Sequence, residues 1–226
     1  VKDLNTNVAG LASTNGSRAL RDVVPTTDSV LVGRMRAAGL VVLGKTNTPE
    51  MGMGICTSPM LRGPTPNPFE PSRSAGGSSG GSACAVASGM LPVAHATDSG
   101  GSIRIPASNC GLFGLKPSRG LVPLGNDAVE GLDGLSTGHA VTHSVRDSAL
   151  LLDVTHGPLP GSGAVPAPAG GFVAALAGPL PPLRVALWTE GFADEPVDGA
   201  CRAAARNAAS LAEDLGCEVV EARPPV

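Results

Sequence analysis

The chain has 226 residues, enough for one or two domains with a sizeable core, and a formal charge of −3. It is rich in Gly, Pro and Ala and lacks Tyr; no basic stripe points to nucleic acid, and no apolar run reaches membrane length. Its five cysteines are odd in number and form no CxxC pair, which favours reduced, buried thiols in a cytoplasmic protein over disulfides or zinc. No signal peptide is recognisable, and the abrupt start at Val1 leaves room for a segment upstream.

In chain order, Asp28 is placed to N-cap a helix through Ala38, with Val30, Leu31 and Met35 on its apolar face and Gly39 closing it. Leu40-Val41-Val42-Leu43 reads as a short buried strand. Residues 50–73, full of Gly, Pro and Ser, read as a long surface loop. Small residues from Gly80 to Gly89 predict a closely packed helix, and Leu91 to Thr97 a strand. Pro106 is suited to the start of another helix, and Ser144 opens a further one containing Val145, Ala149, Leu150 and Leu152. Residues 157–182 read as a Gly/Pro/Ala-rich loop within one domain. A βαβ unit follows: strand Arg184–Trp188, helix Ala200–Leu215, strand Cys217–Ala222. The class is therefore α/β, with a mixed sheet flanked by helices on both faces.

Two glycine-serine loops dominate this plan. Ser74-Ala75-Gly76-Gly77-Ser78-Ser79-Gly80-Gly81-Ser82 and Asp98-Ser99-Gly100-Gly101-Ser102 each lead into a helical segment. Gly/Ser runs commonly serve as linkers. These alternate with a buried-looking helix and strand, so they belong to packed structure. Such loops leave N–H groups free at helix starts, where negative charge is stabilised, and their serines are potential nucleophiles.

The runs GGSSGGSACAVASG and TDSGGSIRIPASNCGLFGLKPS, with Gly44-Lys45-Thr46-Asn47-Thr48-Pro49-Glu50 and the opening Val1-Lys2-Asp3, resemble the amidase signature family of serine hydrolases. The likeness is dense over residues 1 to 156 and looser beyond. GSRALRD, RSAGGSSGG and HATDSGGSIRIPASNCGLFGLKPSRG are most similar to bacterial amidases that open cyclic or linear amide oligomers. The resemblance implies a single amidase domain over 1–226: a catalytic core half at 1–156, the 157–182 loop, and a βαβ continuation at 183–226. It also implies that the chain is an N-terminal fragment with an incomplete sheet, because the family's members are about twice as long.

Mapped onto this sequence, the family's nucleophile falls on Ser102, its bridging serine on Ser78 after a cis peptide, and its lysine on Lys2. Ser102 would attack an amide carbonyl while Ser78 relays its proton to a neutral Lys2, and backbone N–H groups of Ser99, Gly100, Gly101 and Ser102 would hold the oxyanion. Burial can keep a lysine neutral. Of the three lysines, Lys45 and Lys116 sit in turns of structural character. Asp98 and Arg104 read as a buried pair bracing the nucleophile loop, supported by Ser79. The Met51–Met60 loop borders the acyl pocket by resemblance, which places substrate contacts at Gly52, Met53, Gly54 and Cys56.

Competing readings have less behind them. His95, His139, His143 and His156 invite a Ser-His-Asp triad, but none lies in a G-x-S-x-G elbow. His139 and His143 have zinc-helix spacing without the Glu that should follow the first His, and Gly76–Gly81 lacks the Lys of a phosphate loop. The expected partner is a small-molecule amide, with no cofactor, metal, nucleic acid or membrane, and a homodimer is compatible with this. A glutaminase-like subunit of a tRNA-dependent amidotransferase and a non-catalytic remnant are the alternatives.

Overall fold

The second glycine-serine loop leaves the end of β1 (Val93–Asp98), a strand whose antiparallel partner is β3 (Thr137–Thr142). Val93 lies opposite Thr142 and Asp98 opposite Thr137; the short β2 (Phe113–Gly114) pairs with the other edge of β3. The structure, a computed structural model, describes residues 1–125, 127–128, 131–159, 162–163, 165–191 and 195–223. The chain end at 224–226 and residues 160–161 and 164 of the expected loop lie outside the described residues. Two compact units are present, Val1–Leu176 and Ala177–Val226.

In the first unit, all six residues of β3 are buried. Ala94 and Ala96 of β1 pack with Val141, Val86 of α2 (Gly80–Ala87) and Ile103 and Ala107 beside or within α3 (Arg104–Asn109). From the alternate face, Leu31 of α1 (Val30–Ala37) approaches Gly138. There α1 shares a second cluster with Leu121, Val122 and Leu152 of α4 (Val145–Thr155). Small residues on β1 and α2 let helix and sheet approach closely. Gly81 shows how closely: a Cβ there would stand 2.3 Å from Asn47 N.

Helix ends follow local signals in some places and distant ones in others. Ser144 caps α4, its Oγ accepting the Asp147 N–H at 3.1 Å. Gly39, at φ 86°, closes α1 as expected. The expected Asp28 cap is not formed. Asp28 instead accepts the Ala9 N–H and pairs with Arg36 at 2.8 Å, Ser29 occupies the cap position, and the Val30 N–H is taken by Asp127 from 97 residues away. Arg34 donates to the carbonyls of Thr155, His156, Gly157 and Pro158, placing a cation at the C-terminal end of α4.

Leu40–Leu43 corrects the sequence reading. It forms no strand pairing among the described residues, and Val41 and Leu43 are exposed. The expected loop 157–182 contains a short helix, α5 (Phe172–Ala175), whose first N–H groups are accepted by the Asp153 carboxylate of α4. β3 was not anticipated as a strand, because its alternation is hidden by full burial. The five cysteines are free thiols, but Cys56 and Cys201 are exposed where burial was expected.

The second unit is the expected βαβ. β4 (Arg184–Leu187) and β5 (Glu218–Glu221) are parallel and joined through α6 (Gly199–Asp214), which Asp198 caps through the Ala200 N–H. No described helix is long and apolar enough to cross a membrane.

Candidate active site

Lys2 is fully buried. It sits in a short extended piece that bridges Thr46 in parallel. Its Nζ lies 2.7 Å from Ser78 Oγ and 2.8 Å from Thr97 Oγ1. Burial lowers its pKa from 10.5 to about 7, and the nearby Asp98 carboxylate partly opposes the fall. An amine of that pKa is largely neutral just above neutrality, with a lone pair for one neighbour and N–H donors for the other.

Ser78 is buried and follows a cis Gly77–Ser78 peptide bond. The neighbouring Ser79 spends its hydroxyl on β1, donating to the Thr97 carbonyl, and its N–H donates to the Ser102 carbonyl at 3.2 Å. These bonds tie the two glycine-serine loops together.

Asp98, at the end of β1, organises the second loop. Its carboxylate accepts the N–H groups of Gly101 at 2.7 Å and Ile103 at 3.1 Å, and receives Arg104 Nε and Nη2 at 3.0 Å each. Burial alone would raise its pKa, but these donors and the Arg104 charge outweigh it and hold the carboxyl at about 2. Of the pair expected to be buried, only Asp98 is; the Arg104 side chain is 53% exposed.

Ser102 is half-buried and opens onto a cavity of about 500 Å³ together with Ser78, Thr97, Ser99 and Gly100. Three features depart from the expected arrangement. Ser78 and Ser102 share the cavity, but no hydrogen bond joins their hydroxyls. The Gly101 N–H is committed to Asp98 and is unavailable to an oxyanion; those of Ser99, Gly100 and Ser102 have no acceptor among the described residues. Gly52, Met53 and Gly54 line the cavity, but Cys56 does not; Ile55 and Met51 line it as well, with Leu4, Ile105 and Leu132.

Thr97 escaped the sequence reading as the second partner of Lys2. The signal available was its place directly before Asp98, where strand alternation turns it away from the Asp98 side. Asp3 was also missed. Its buried carboxylate accepts the Thr14 N–H and hydroxyl and lies 3.5 Å from Lys45 Nζ, so Lys45 is structural as expected. Lys116 donates to the Pro117 carbonyl.

No histidine lines the Ser102 cavity among the described residues. His139 lies in a strand, not a zinc helix, and its Nε2 is 2.6 Å from Ser148 Oγ; burial holds its pKa at about 4. His143 Nε2 meets the Val86 carbonyl. Among the described residues no group of three or more His, Cys, Asp or Glu side chains could hold a metal ion.

The family model described as Amidase matches residues 1–226. The chain is 43% identical over 227 residues to the 6-aminohexanoate-cyclic-dimer hydrolase of Paenarthrobacter ureafaciens, covering 98% of this chain and 45% of that protein. It is 46% identical over 195 residues to the A subunit of the glutamyl-tRNA(Gln) amidotransferase of Thermus thermophilus, covering 85% of this chain and 41% of the relative. A solved 6-aminohexanoate cyclic dimer hydrolase complexed with substrate superposes with a TM-score of 0.93 at 40% identity, over 99% of this chain and 48% of the other. A bacterial aryl acylamidase of the amidase signature (AS) enzymes gives 0.85 at 35% identity, over 97% and 46%. This chain thus spans about half the length of the relatives it matches. Over that span it belongs to the amidase signature family.

Proposed function

We propose that this chain carries the nucleophile and base of an enzyme that hydrolyses a carboxylic amide through an acyl-enzyme on Ser102. The observation that carries this is the 2.7 Å contact between Ser78 and a fully buried Lys2 of pKa about 7, at the wall of the cavity onto which Ser102 opens. In this reading Ser102 Oγ forms a bond to the amide carbon as its proton passes to Ser78, and the Ser78 proton passes to Lys2. The carbonyl π electrons move to oxygen, and the free N–H groups of Ser99, Gly100 and Ser102 are the supporting donors. Collapse of the tetrahedral species breaks the C–N bond, and the leaving amine takes a proton back through Ser78. Water then attacks the ester by the same route, its proton following the same relay, and Ser102 recovers its hydrogen. A tightening of the Ser78–Ser102 approach on substrate binding is part of the proposal.

The described residues lining the cavity carry no formal charge, and Leu4, Met51, Met53, Ile55, Ile105 and Leu132 supply apolar surface. That favours a small uncharged acyl group, in keeping with the relatives named for cyclic-dimer and acyl amide hydrolysis. The likeness to the glutamyl-tRNA(Gln) amidotransferase polypeptide supports a second reading, in which the chain is glutaminase-like and works within a complex. Free glutamine carries two charges that would need ionic partners in the pocket. The free thiols suit a reducing cytoplasm.

Labelling with an alkyl fluorophosphonate tests the proposal. Ser102 should be modified at a rate that rises with pH through about 7, and Ser102→Ala should abolish labelling. Labelling at another serine, or a rate set by a histidine, would overturn it. Turnover of glutamine but not of neutral aliphatic amides would favour the second reading.

A further inference from the structure

The polar side chains that line the cavity in front of Ser102 are those of Asn5, Ser78, Thr97, Ser99, Ser102 and Ser136. Most are already engaged. Ser78 and Thr97 hold the Lys2 amine, and the hydroxyls of Ser99 and Ser136 bond each other at 2.6 Å. Ser102 is the reacting group. That leaves Asn5, which is exposed at the cavity wall and whose carboxamide has no partner among the described residues. A carboxamide offers two N–H donors and a carbonyl acceptor.

The backbone of Asn5 is held in a conformation few side chains adopt. Its φ is 47°, in the left-handed region, and its N–H donates to Asn15 Oδ1 at 2.8 Å. Asn15 is left-handed as well, at φ 49°, and its carbonyl accepts the N–H of Met51 at 2.7 Å. Met51 is a third left-handed residue, at φ 52°, and it lines the same cavity. The segment that carries Asn15 is pinned on both sides. Thr14 donates its N–H and hydroxyl to Asp3, and Ser17 donates to Glu50 Oε1 at 2.6 Å. Between them Gly16 packs so tightly that a Cβ there would stand 2.6 Å from the Thr48 carbonyl oxygen. Strained backbone of this kind persists only where its surroundings over-determine it, and it gathers at ligand-binding sites. Asn15 thus fixes two residues of the cavity wall at once.

We infer that Asn5 is a specificity-determining residue: its carboxamide pairs with a second, uncharged carboxamide in the acyl part of the substrate, and Asn15 positions it for that contact. The substrate class is then a neutral amide with a further amide group on its acyl chain. The donors and acceptor of Asn5 match the carbonyl and N–H of such a group, and no charged side chain among the described lining residues favours a carboxylate or an ammonium in its place. The inference rests on the acyl-enzyme reading of Ser102 and deepens it.

Matched fluorophosphonates test it. Two series of increasing chain length are compared, one ending in a carboxamide and the other in the isosteric isopropyl group. At one length at least, the carboxamide probe should label Ser102 roughly tenfold faster, the effect of one uncharged hydrogen-bonded contact at an exposed position. Asn5→Gly, which suits a φ of 47° but has no carboxamide, should bring the ratio of the two rates to about one. Asn5→Asp, also tolerant of that backbone, should turn the preference toward a probe ending in an ammonium group. Asn15→Gly should lower the ratio, and Asn15→Asp, which keeps an Oδ1 acceptor for the Asn5 N–H, should retain it. Equal rates for the two series at every length, or a preference that survives Asn5→Gly, would overturn the inference. A binding measurement separates that failure from a failure of the chemistry. In Ser102→Ala, titration with adipamide should shift the side-chain NH2 resonances of Asn5. If no probe labels Ser102 and adipamide still moves those resonances, the acyl-enzyme reading falls and the recognition stands. If they do not move, the recognition falls whatever Ser102 does.

Discussion

Replacing Lys2 by Met separates the stability of this fold from its chemistry. In the unfolded chain the Lys2 amine holds its proton up to about pH 10.5, whereas in the folded protein it gives the proton up near pH 7. Between those values the unfolded state binds more protons, so stability rises with pH across the window, and the whole cost is present below about pH 7. The fall from 10.5 to about 7 corresponds to about 5 kcal/mol. Met fills nearly the same space without a charge but gives up the hydrogen bonds to Ser78 and Thr97, about 1 kcal/mol each. The variant should therefore be more stable than the parent by about 2–3 kcal/mol near pH 6, with the difference shrinking and changing sign by about pH 10. Urea denaturation followed by far-ultraviolet circular dichroism at both pH values measures this. Fluorophosphonate labelling of Ser102 should meanwhile be lost. A variant equally destabilised at both pH values would show that Lys2 does not lose its proton on folding, and the neutral-base argument would fall with it.

Asp98→Asn removes the charge that opposes the fall in the Lys2 pKa, so the pH at which labelling switches on should move downward, and the slackened loop should slow labelling overall. The parent's Asp98 carboxyl, held at about 2, stabilises the fold above the ordinary carboxylate pKa; that contribution should fade as the pH falls toward 2 and be absent from the variant's acid titration. Thr97→Val should slow labelling about tenfold by removing one of the two hydroxyls that hold the Lys2 amine, and Thr97→Ser should restore most of it, because the Thr97 contact is made by its hydroxyl. Gly81→Ala drives a Cβ into the Asn47 backbone and should cost roughly 3 kcal/mol or prevent folding. By contrast Gly33→Ala, in the interior of α1 with nothing within 4 Å, should raise thermal stability by about 0.5–1 kcal/mol.

What the sequence determined by itself is local. Ser144 with Asp147, Gly39, and the small-residue run after Ser79 act within a turn or two of the backbone, so α4, the end of α1 and α2 could be placed without knowing their neighbours. The two glycine-serine loops likewise marked the segments rich in unspent N–H groups, and among their serines it was the resemblance to the amidase signature family that pointed to Ser78 and Ser102. Tertiary structure decided the rest, because the deciding partner is far away in the chain. The Val30 N–H is capped by Asp127, α5 begins on Asp153, and β3 is recognisable only from β1 beside it. Thr97 becomes a partner of Lys2 only when the chain between them, a separation of 95 positions, has folded. The same holds for charge: an amine near a chain start is ordinarily solvated, and only full burial brings Lys2 to about 7. Gly101 carries the point at the level of one atom. Its N–H looks free in the sequence, and the carboxylate three residues earlier takes it, because desolvated Asp98 needs every donor within reach.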